Sequence, residues 1–300
     1  MNVSNENQNF QWVTKAAEIA REAGALLRDF YVQGVKTEYK GDVDLVTVAD
    51  RTSEKLIRER LAAEFPEHGI YGEEGTRERL GAGLRWYVDP LDGTTNFAHG
   101  FPHFCVSMGL EQRTEGLAET EDGVLVGAVI YDPLLNELFV AERGLGAWLN
   151  ERRMHVSGNA LLGESLVATG FPSRKRHASP NIHFYQEFTL RSHGVRRAGS
   201  AALDLAYVAA GRMDAFWEFN LNPWDTAAGL LLGEEAGGRT TDCSGNPYRL
   251  DSREILASNQ LIHKELLGFF DDMFAGRDLT PIPSPSEYDE KRSMRPMAGF

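Results

Sequence analysis

Asp89 to Phe97 reads Asp-Pro-Leu-Asp-Gly-Thr-Thr-Asn-Phe, which sets two carboxylates and a Gly-Thr turn directly after a strand-like stretch. Leu84 to Val88 has the aromatic and β-branched content of a strand. Pro90 cannot donate to a sheet ladder and so predicts that the strand stops at Asp89. Asp89 and Asp92 then share an irregular loop from which both can turn onto one hard cation. Mg²⁺ takes oxygen ligands in near-octahedral geometry and keeps some waters, which suits carboxylates together with a phosphate oxygen. The backbone N–H groups of Gly93 and Thr94 are candidates to face that phosphate, because glycine permits close backbone approach. Asp-Gly is also a common turn dipeptide, so this segment alone is equally consistent with a solvated connection.

Two further segments bear on the choice. Gly72-Glu73-Glu74-Gly75 puts two acids on a loop after a short apolar stretch, where a solvated turn is the ordinary reading. Pro223-Trp224-Asp225 is followed by a helical pattern that ends in glycines, so Asp225 stands at or near a helix N-terminus, and a simple N-cap would account for it. Together the three segments resemble the signatures of the inositol monophosphatase family of Mg²⁺-dependent, lithium-sensitive phosphatases: G-E-E, D-P-[IL]-D-G-T-T-N-F and W-D-x-A-A-G, in that order. The central motif continues through Ala98-His99-Gly100-Phe101-Pro102, which is similar to the inositol phosphatases rather than to the nucleotide-phosphatase branch. The resemblance covers residues 10 to 275.

The resemblance implies an enzyme that hydrolyses myo-inositol monophosphate by direct attack of metal-activated water. It also implies two or three Mg²⁺ per subunit. Glu73, Asp89 and the Leu91 carbonyl would hold the first ion, and Asp89, Asp92 and Asp225 the second; Glu73, with Glu74 as an accessory candidate, would hold a weaker third. Asp50 closes Asp44-Leu-Val-Thr-Val-Ala-Asp, a segment similar to the family's V-D-L-V-T-x-x-D. In that pattern the final Asp hydrogen-bonds the motif threonine, here Thr94, and prepares its hydroxyl to orient water. Asp50 also reads as a cap of the following helix. Lys36 is an accessory candidate, with a solvated lysine as the alternative. Glu218 matches the acid that bonds the inositol ring, and Gly199, Ser200 and Ala201 match the segment that meets its hydroxyls. Ser200 reads equally as a helix N-cap. The implied partner is a small phosphorylated polyol, and the family forms homodimers. Fructose-1,6-bisphosphatase, histidinol-phosphatase or nucleotide phosphatase activity on the same scaffold stays open, as does a regulatory interaction role in transcription.

Composition narrows the class independently. The formal charge of −13 disfavours nonspecific binding to nucleic acid or anionic membrane, which needs a basic footprint. It also means that a phosphorylated substrate is repelled until bound cations invert the local field. No run approaches the roughly 20 apolar residues that span a bilayer, and Met1 to Phe10 resembles no signal peptide. With only Cys105 and Cys243, neither at metal-ligand spacing, a cytoplasmic protein without a disulfide framework is expected. His99 and His103 form no persuasive metal motif, and Gly144-Leu-Gly146 lacks the dinucleotide fingerprint.

The elements that must position these residues follow from periodicity. Ala16, Ile19, Ala20, Ala23, Leu27 and Phe30 predict an amphipathic helix over Gln11 to Tyr31, and Leu56, Ile57, Leu61 and Phe65 a second from Thr52. Strands are predicted at Arg85–Val88, Phe104–Leu110, Val124–Tyr131 and Glu137–Ala141. Beyond them, strands near Leu166, Val195 and Asp214 alternate with helices from Asn181, from Ala201 and after Asp225. These give a flexible N-terminus over 1–9, an α+β metal- and phosphate-binding domain over 10–152, and an α/β substrate-binding domain over 153–275. A disordered Pro-rich tail over 276–300 completes the chain. The resemblance implies that the halves stack as an alternating layered sandwich of helices and sheets, as in inositol monophosphatases and fructose-1,6-bisphosphatases, with the site between them.

Overall fold

Ala16, Ile19, Ala20, Ala23 and Leu27 form the buried face of α1 (Val3–Gln33), against which Ile57 and Leu61 of α2 (Val48–Glu64) pack. The computed structural model describes residues 3–34, 37–39, 45–114, 117, 122–171 and 179–277. Helix α1 begins well before the amphipathic pattern does, because a polar segment extends an existing helix at little cost once the nucleus has formed. The short hairpin β1 (Thr37–Tyr39) and β2 (Leu45–Thr47) leads into α2.

The chain then builds a large sheet from β3 (Gly69–Gly72), β4 (Arg77–Glu78) and β5 (Leu84–Asp92), the last followed by the single-turn helix α3 (Thr94–Ala98). Strands β6 (Cys105–Gln112), β7 (Val124–Asp132), β8 (Glu137–Glu142), β9 (Gly146–Leu149) and β10 (Arg152–Arg153) extend it in order β10-β9-β8-β7-β6-β5-β3-β4. Pairs are antiparallel except β3 with β5. Strand β5 continues through Pro90 to Asp92, past the end that Pro90 predicts. The β5–β6 register slips between Asp89 and Asp92, so no ladder bond asks for the N–H that proline lacks.

The second sheet starts with β11 (Leu166–Thr169), crosses through α4 (Asn181–Arg191) to β12 (Gly194–Arg196), and returns through α5 (Ala201–Ala209) to β13 (Ala215–Phe219). Both β12 and β13 run parallel to β11, as helical crossovers require. After α6 (Pro223–Glu235) and β14 (Arg239–Thr241), β15 (Glu254–Ser258) adds antiparallel to β13 and β14 pairs antiparallel with β15 at the sheet edge, and α7 (His263–Phe274) closes the described chain. Pro223 takes the first position of α6 and Asn222 the N-cap, so Asp225 sits inside the first turn.

Period-two alternation decides the layering. In β13, Ala215, Trp217 and Phe219 face Phe184 and Phe188 of α4 and Phe269 and Phe270 of α7, whereas Phe216 faces Leu205 and Val208 of α5. Small residues of α5 and α6, among them Ala202, Ala206 and Ala228, pack on Cys105, Ala128 and Ile130 of the large sheet. Helices α5 and α6 are thus a central layer between the sheets, α1 and α2 cover the outer face of one, and α4 and α7 that of the other. This is the layered α+β sandwich. The N-termini of both central helices point to the end of β5. Lys36 and the tail from 278 lie outside the described residues.

Candidate active site

The slip in β5 turns its last residues into a hydrogen-bonded knot. Asp89 Oδ1 accepts the Leu91 N–H at 2.9 Å, and the Ser53 hydroxyl donates to the Pro90 carbonyl at 2.9 Å. Gly93 follows at φ 96°, where a Cβ would approach the His103 carbonyl oxygen to 2.9 Å, so glycine is required for the turn that brings Thr94 round. The Thr94 hydroxyl lies 2.9 Å from Asp50 Oδ1 and 3.0 Å from the Leu91 carbonyl. Asp50 Oδ2 meanwhile accepts from the backbone N–H and hydroxyl of Thr47 at 2.7 and 2.6 Å, as the capping-box acid of α2. Capping and the contact with Thr94 therefore coexist, one on each oxygen. Burial raises the Asp50 carboxyl above the ordinary carboxylate range, and its hydrogen bonds to Thr47 and Thr94 pull it back.

Asp92 points the other way, into the start of α5. Its Oδ2 accepts the Ser200 hydroxyl at 2.6 Å and the Ala202 N–H at 2.7 Å, an anion held at a helix N-terminus. Ser200 is also the N-cap, accepting the Leu203 N–H at 3.4 Å. Gly199, at φ 88°, lies against the Asn96 amide, which donates to the carbonyls of His103 and Ala198 at 2.8 Å each. The Gly199-Ser200-Ala201 segment thus supports Asp92 directly. Asp225 is the capping-box acid of α6, its Oδ2 accepting the Asn222 N–H at 2.7 Å.

Electrostatics ties these acids together. Asp89 is only 2% exposed, and its carboxyl is pushed well above its usual range, first by burial and then by repulsion from Glu73, Asp92 and Asp225. Asp92 is raised by burial, against the hydrogen bonds from Ser200 and the start of α5. Burial and then Asp92 raise Asp225 to about 7, while Asn222 opposes. Glu218 on β13 is held high by burial, then by Asp204, Asp225 and Asp92, with Arg197 opposing. It shares its face of β13 with Phe216, and so looks into the central layer, where its carboxylate fills the space that a side chain at Gly170 would need.

The donor chemistry suits a hard cation. Glu73, Asp89, Asp92, Asp225 and the Leu91 carbonyl offer oxygen alone, and repulsion among crowded carboxylates is what a bound divalent ion relieves. Among the described residues no three His, Cys, Asp or Glu side chains close on a common point at metal-holding range. Asp92 and Asp225 each commit an oxygen to N–H or hydroxyl donors.

A model of the inositol monophosphatase family matches residues 9–270. The chain belongs to the inositol monophosphatase family. It is accordingly an enzyme, a phosphoric monoester hydrolase. It is 46% identical over 249 residues to the inositol-1-monophosphatase of Rhizobium meliloti, covering 81% of this chain and 89% of that one. It is 43% identical over 260 residues to the Nus factor SuhB of Pseudomonas aeruginosa, covering 84% and 93%. The solved structure of extragenic suppressor protein SuhB from Bartonella henselae superposes with a TM-score of 0.78 at 42% identity, covering 86% of this chain and 97% of that one. No helix among the described residues is long and apolar enough to cross a membrane.

Four residues around this family site escape a reading of the sequence. Ser53 and Glu54 look like polar positions on an amphipathic helix, yet both are buried under the β5 turn and the Glu73 loop. Arg77 lies over the rings of Tyr71 and Trp224 and donates to the carbonyls of Gly72 and Thr76, linking the Glu73 loop to the start of α6. Asp204 is a buried acid on α5 with one oxygen unpartnered, facing Asp92 and Glu218. Only the buried side of α2 carried a signal, since positions 50, 53 and 54 fall on one helical face.

Proposed function

We propose that the chain hydrolyses myo-inositol monophosphate to inositol and phosphate in a Mg²⁺-dependent reaction. The observation that carries this reading is the crowding of half-buried carboxylates around the buried Asp89, beside a threonine hydroxyl already hydrogen-bonded to the buried Asp50. Glu73, Asp89 and the Leu91 carbonyl would hold one ion, Asp89, Asp92 and Asp225 a second, and Glu73 with Glu74 a third. When bound, Mg²⁺ supplies Lewis acidity toward water and charge stabilisation toward the phosphate. The remaining work falls to the chain. Asp50 fixes the Thr94 hydroxyl by accepting its hydrogen bond, so that the lone pairs of Thr94 are left to orient the attacking water. The Gly93 and Thr94 N–H groups are the proposed phosphate contacts. Glu218 accepts hydrogen bonds from the ring hydroxyls, and Gly199, Ser200 and Ala201 border the same alcohol. In this division residues 10–152 serve metal and phosphate and 153–275 serve the polyol, with Asp225 reaching across.

The 46% identity to an inositol-1-monophosphatase favours inositol over the other phosphate esters. We expect a homodimer, lithium inhibition and a cytoplasmic setting on the same family grounds; the free, buried Cys105 and Cys243 accord with a reducing compartment. Phosphate release from inositol 1-phosphate, fructose 1,6-bisphosphate, histidinol phosphate and nucleotide phosphates, with Mg²⁺ and with EDTA, tests the reading. The largest Mg²⁺-dependent kcat/KM should fall on inositol 1-phosphate; a clear preference for another ester would reassign the substrate, and turnover undiminished in EDTA would overturn the metal assignment. The likeness to a Nus factor supports a second, non-exclusive reading, a role in transcription. Retention of transcription-complex partners by an inactive Asp92→Asn variant would separate that role from catalysis.

A further inference from the structure

Helix α2 turns a polar face toward the active-site loops, which is unusual for the buried side of a helix. Asp50, Ser53 and Glu54 are 1%, 0% and 5% exposed and lie on one face of the helix, since positions three and four apart are neighbours on its surface. Each holds a different segment of the site. Asp50 receives Thr94, Ser53 holds the Pro90 carbonyl, and Glu54 holds the loop that carries Glu73. Glu54 Oε2 accepts the Glu74 N–H at 2.6 Å, and Oε1 accepts both the N–H and the hydroxyl of Thr76 at 2.9 and 2.6 Å. Gly72 leaves the space for this, because a Cβ there would come within 2.6 Å of Glu54 Oε2. The Gly72 N–H closes the loop on the Thr76 carbonyl at 2.9 Å, and the Glu73 N–H pairs with the Val88 carbonyl at 3.1 Å. Glu73 is thereby fixed from both sides by bonds to its neighbours' backbones.

We propose that Glu54 is a positioning residue for metal binding: by gathering three donors of the 74–76 segment it holds the Glu73 carboxylate toward Asp89, without itself touching the ion. The inference rests on the metal-site reading above. Only a carboxylate serves all three donors, because an amide would turn its own N–H toward either Glu74 or Thr76. Groups that orient ligands in this way typically change metal affinity by about 10–100-fold when altered.

The test is calorimetric titration of Mg²⁺ into the substrate-free protein, beside its melting temperature in EDTA. Glu54→Gln should weaken Mg²⁺ binding by about tenfold or more, while kcat recovers to within a few-fold of wild type once Mg²⁺ is saturating. Thr76→Val removes one donor without touching the helix, and should weaken Mg²⁺ in the same direction by less. The double variant should lose less than the sum, since both changes break one contact. Unchanged Mg²⁺ affinity in Glu54→Gln overturns the proposal, as does a kcat that stays low at saturating Mg²⁺. If Glu54→Gln fails to fold, Thr76→Val decides: wild-type Mg²⁺ affinity in that variant refutes the role. Failure of the wild-type protein itself to bind Mg²⁺ would refute the metal-site reading instead.

Discussion

At the start of α2, Thr47 and Asp50 form a capping box; at the start of α6, Asn222 and Asp225 form another. Each acid sits in the first helical turn and spends one oxygen on the orphan backbone N–H of its own N-cap residue. The difference lies in what the site offers the rest of the carboxylate. Asp50 meets a donor, the Thr94 hydroxyl at 2.9 Å, so its surroundings are complete within the protein. Asp225 meets the acid cluster, and burial with repulsion from Asp92 raises it to about 7. One local motif thus serves two ends. Where the neighbour is a hydrogen-bond donor the helix start is a finished brace, and where the neighbour is another carboxylate it is an unfinished one that a cation completes.

Removal of charge on the unfinished side should have the largest effect. Asp92→Asn and Asp225→Asn should each lower kcat by on the order of 10³ or more at saturating Mg²⁺, with the fold retained, because the amide keeps an oxygen for its N–H donor while the cluster loses a ligand charge. Near-normal turnover of either variant would remove these acids from the metal site. On the finished side, Thr94→Ala should cost on the order of 10² in kcat yet leave Mg²⁺ affinity by calorimetry unchanged. A loss of Mg²⁺ binding there would mean that the two sides are not separate.

Smaller effects sharpen the contrast. Glu218 belongs to neither helix start, and as the proposed contact to the alcohol it should govern specificity. Glu218→Gln should depress kcat/KM for inositol 1-phosphate by roughly ten- to a hundredfold, and for a simple aryl phosphate by much less. Equal losses on both esters would move Glu218 into the metal shell or the scaffold. The smallest effect concerns a buried group whose polar needs are met in its neutral form. His263 is bracketed by the hydroxyls of Thr241 and Ser258 at 2.9 and 2.8 Å, and burial lowers it to about 4. In the unfolded chain it protonates near 6.5, so its contribution to stability is complete above that pH and is lost as pH falls toward about 4. The melting-temperature gap between wild type and His263→Asn should therefore narrow across that window. A gap that widens on acidification would contradict the assignment.

Much of the fold was legible because burial and periodicity agree. Leu166 to Thr169 is a strand as its apolar run predicts, and the helices from Asn181 and Ala201 begin where their patterns do. The acids of the site were legible as motifs, and both capping boxes are written in the chain as Thr47-x-x-Asp50 and Asn222-x-x-Asp225. What was hidden depends on long-range geometry. Pro90 reads as a strand end, but a slip in register lets β5 pass through it. Glu54 reads as one more surface acid of α2, and only the fold of the Gly72–Thr76 loop over it shows three donors converging there. Strands β14 and β15 are short, so nothing local marks them as sheet members; β15 is recruited by β13 and β14 by β15.

Amide hydrogen exchange, read by peptide with and without Mg²⁺, tests the central contrast most directly because it reports each helix start separately. The account predicts that Mg²⁺ slows exchange in the peptide spanning Asn222 to Ala228 and in the Asp89–Gly93 turn, while the peptide from Thr47 to Glu54 is nearly as protected in EDTA as with the ion. Equal slowing at both helix starts, or none at the start of α6, would contradict it.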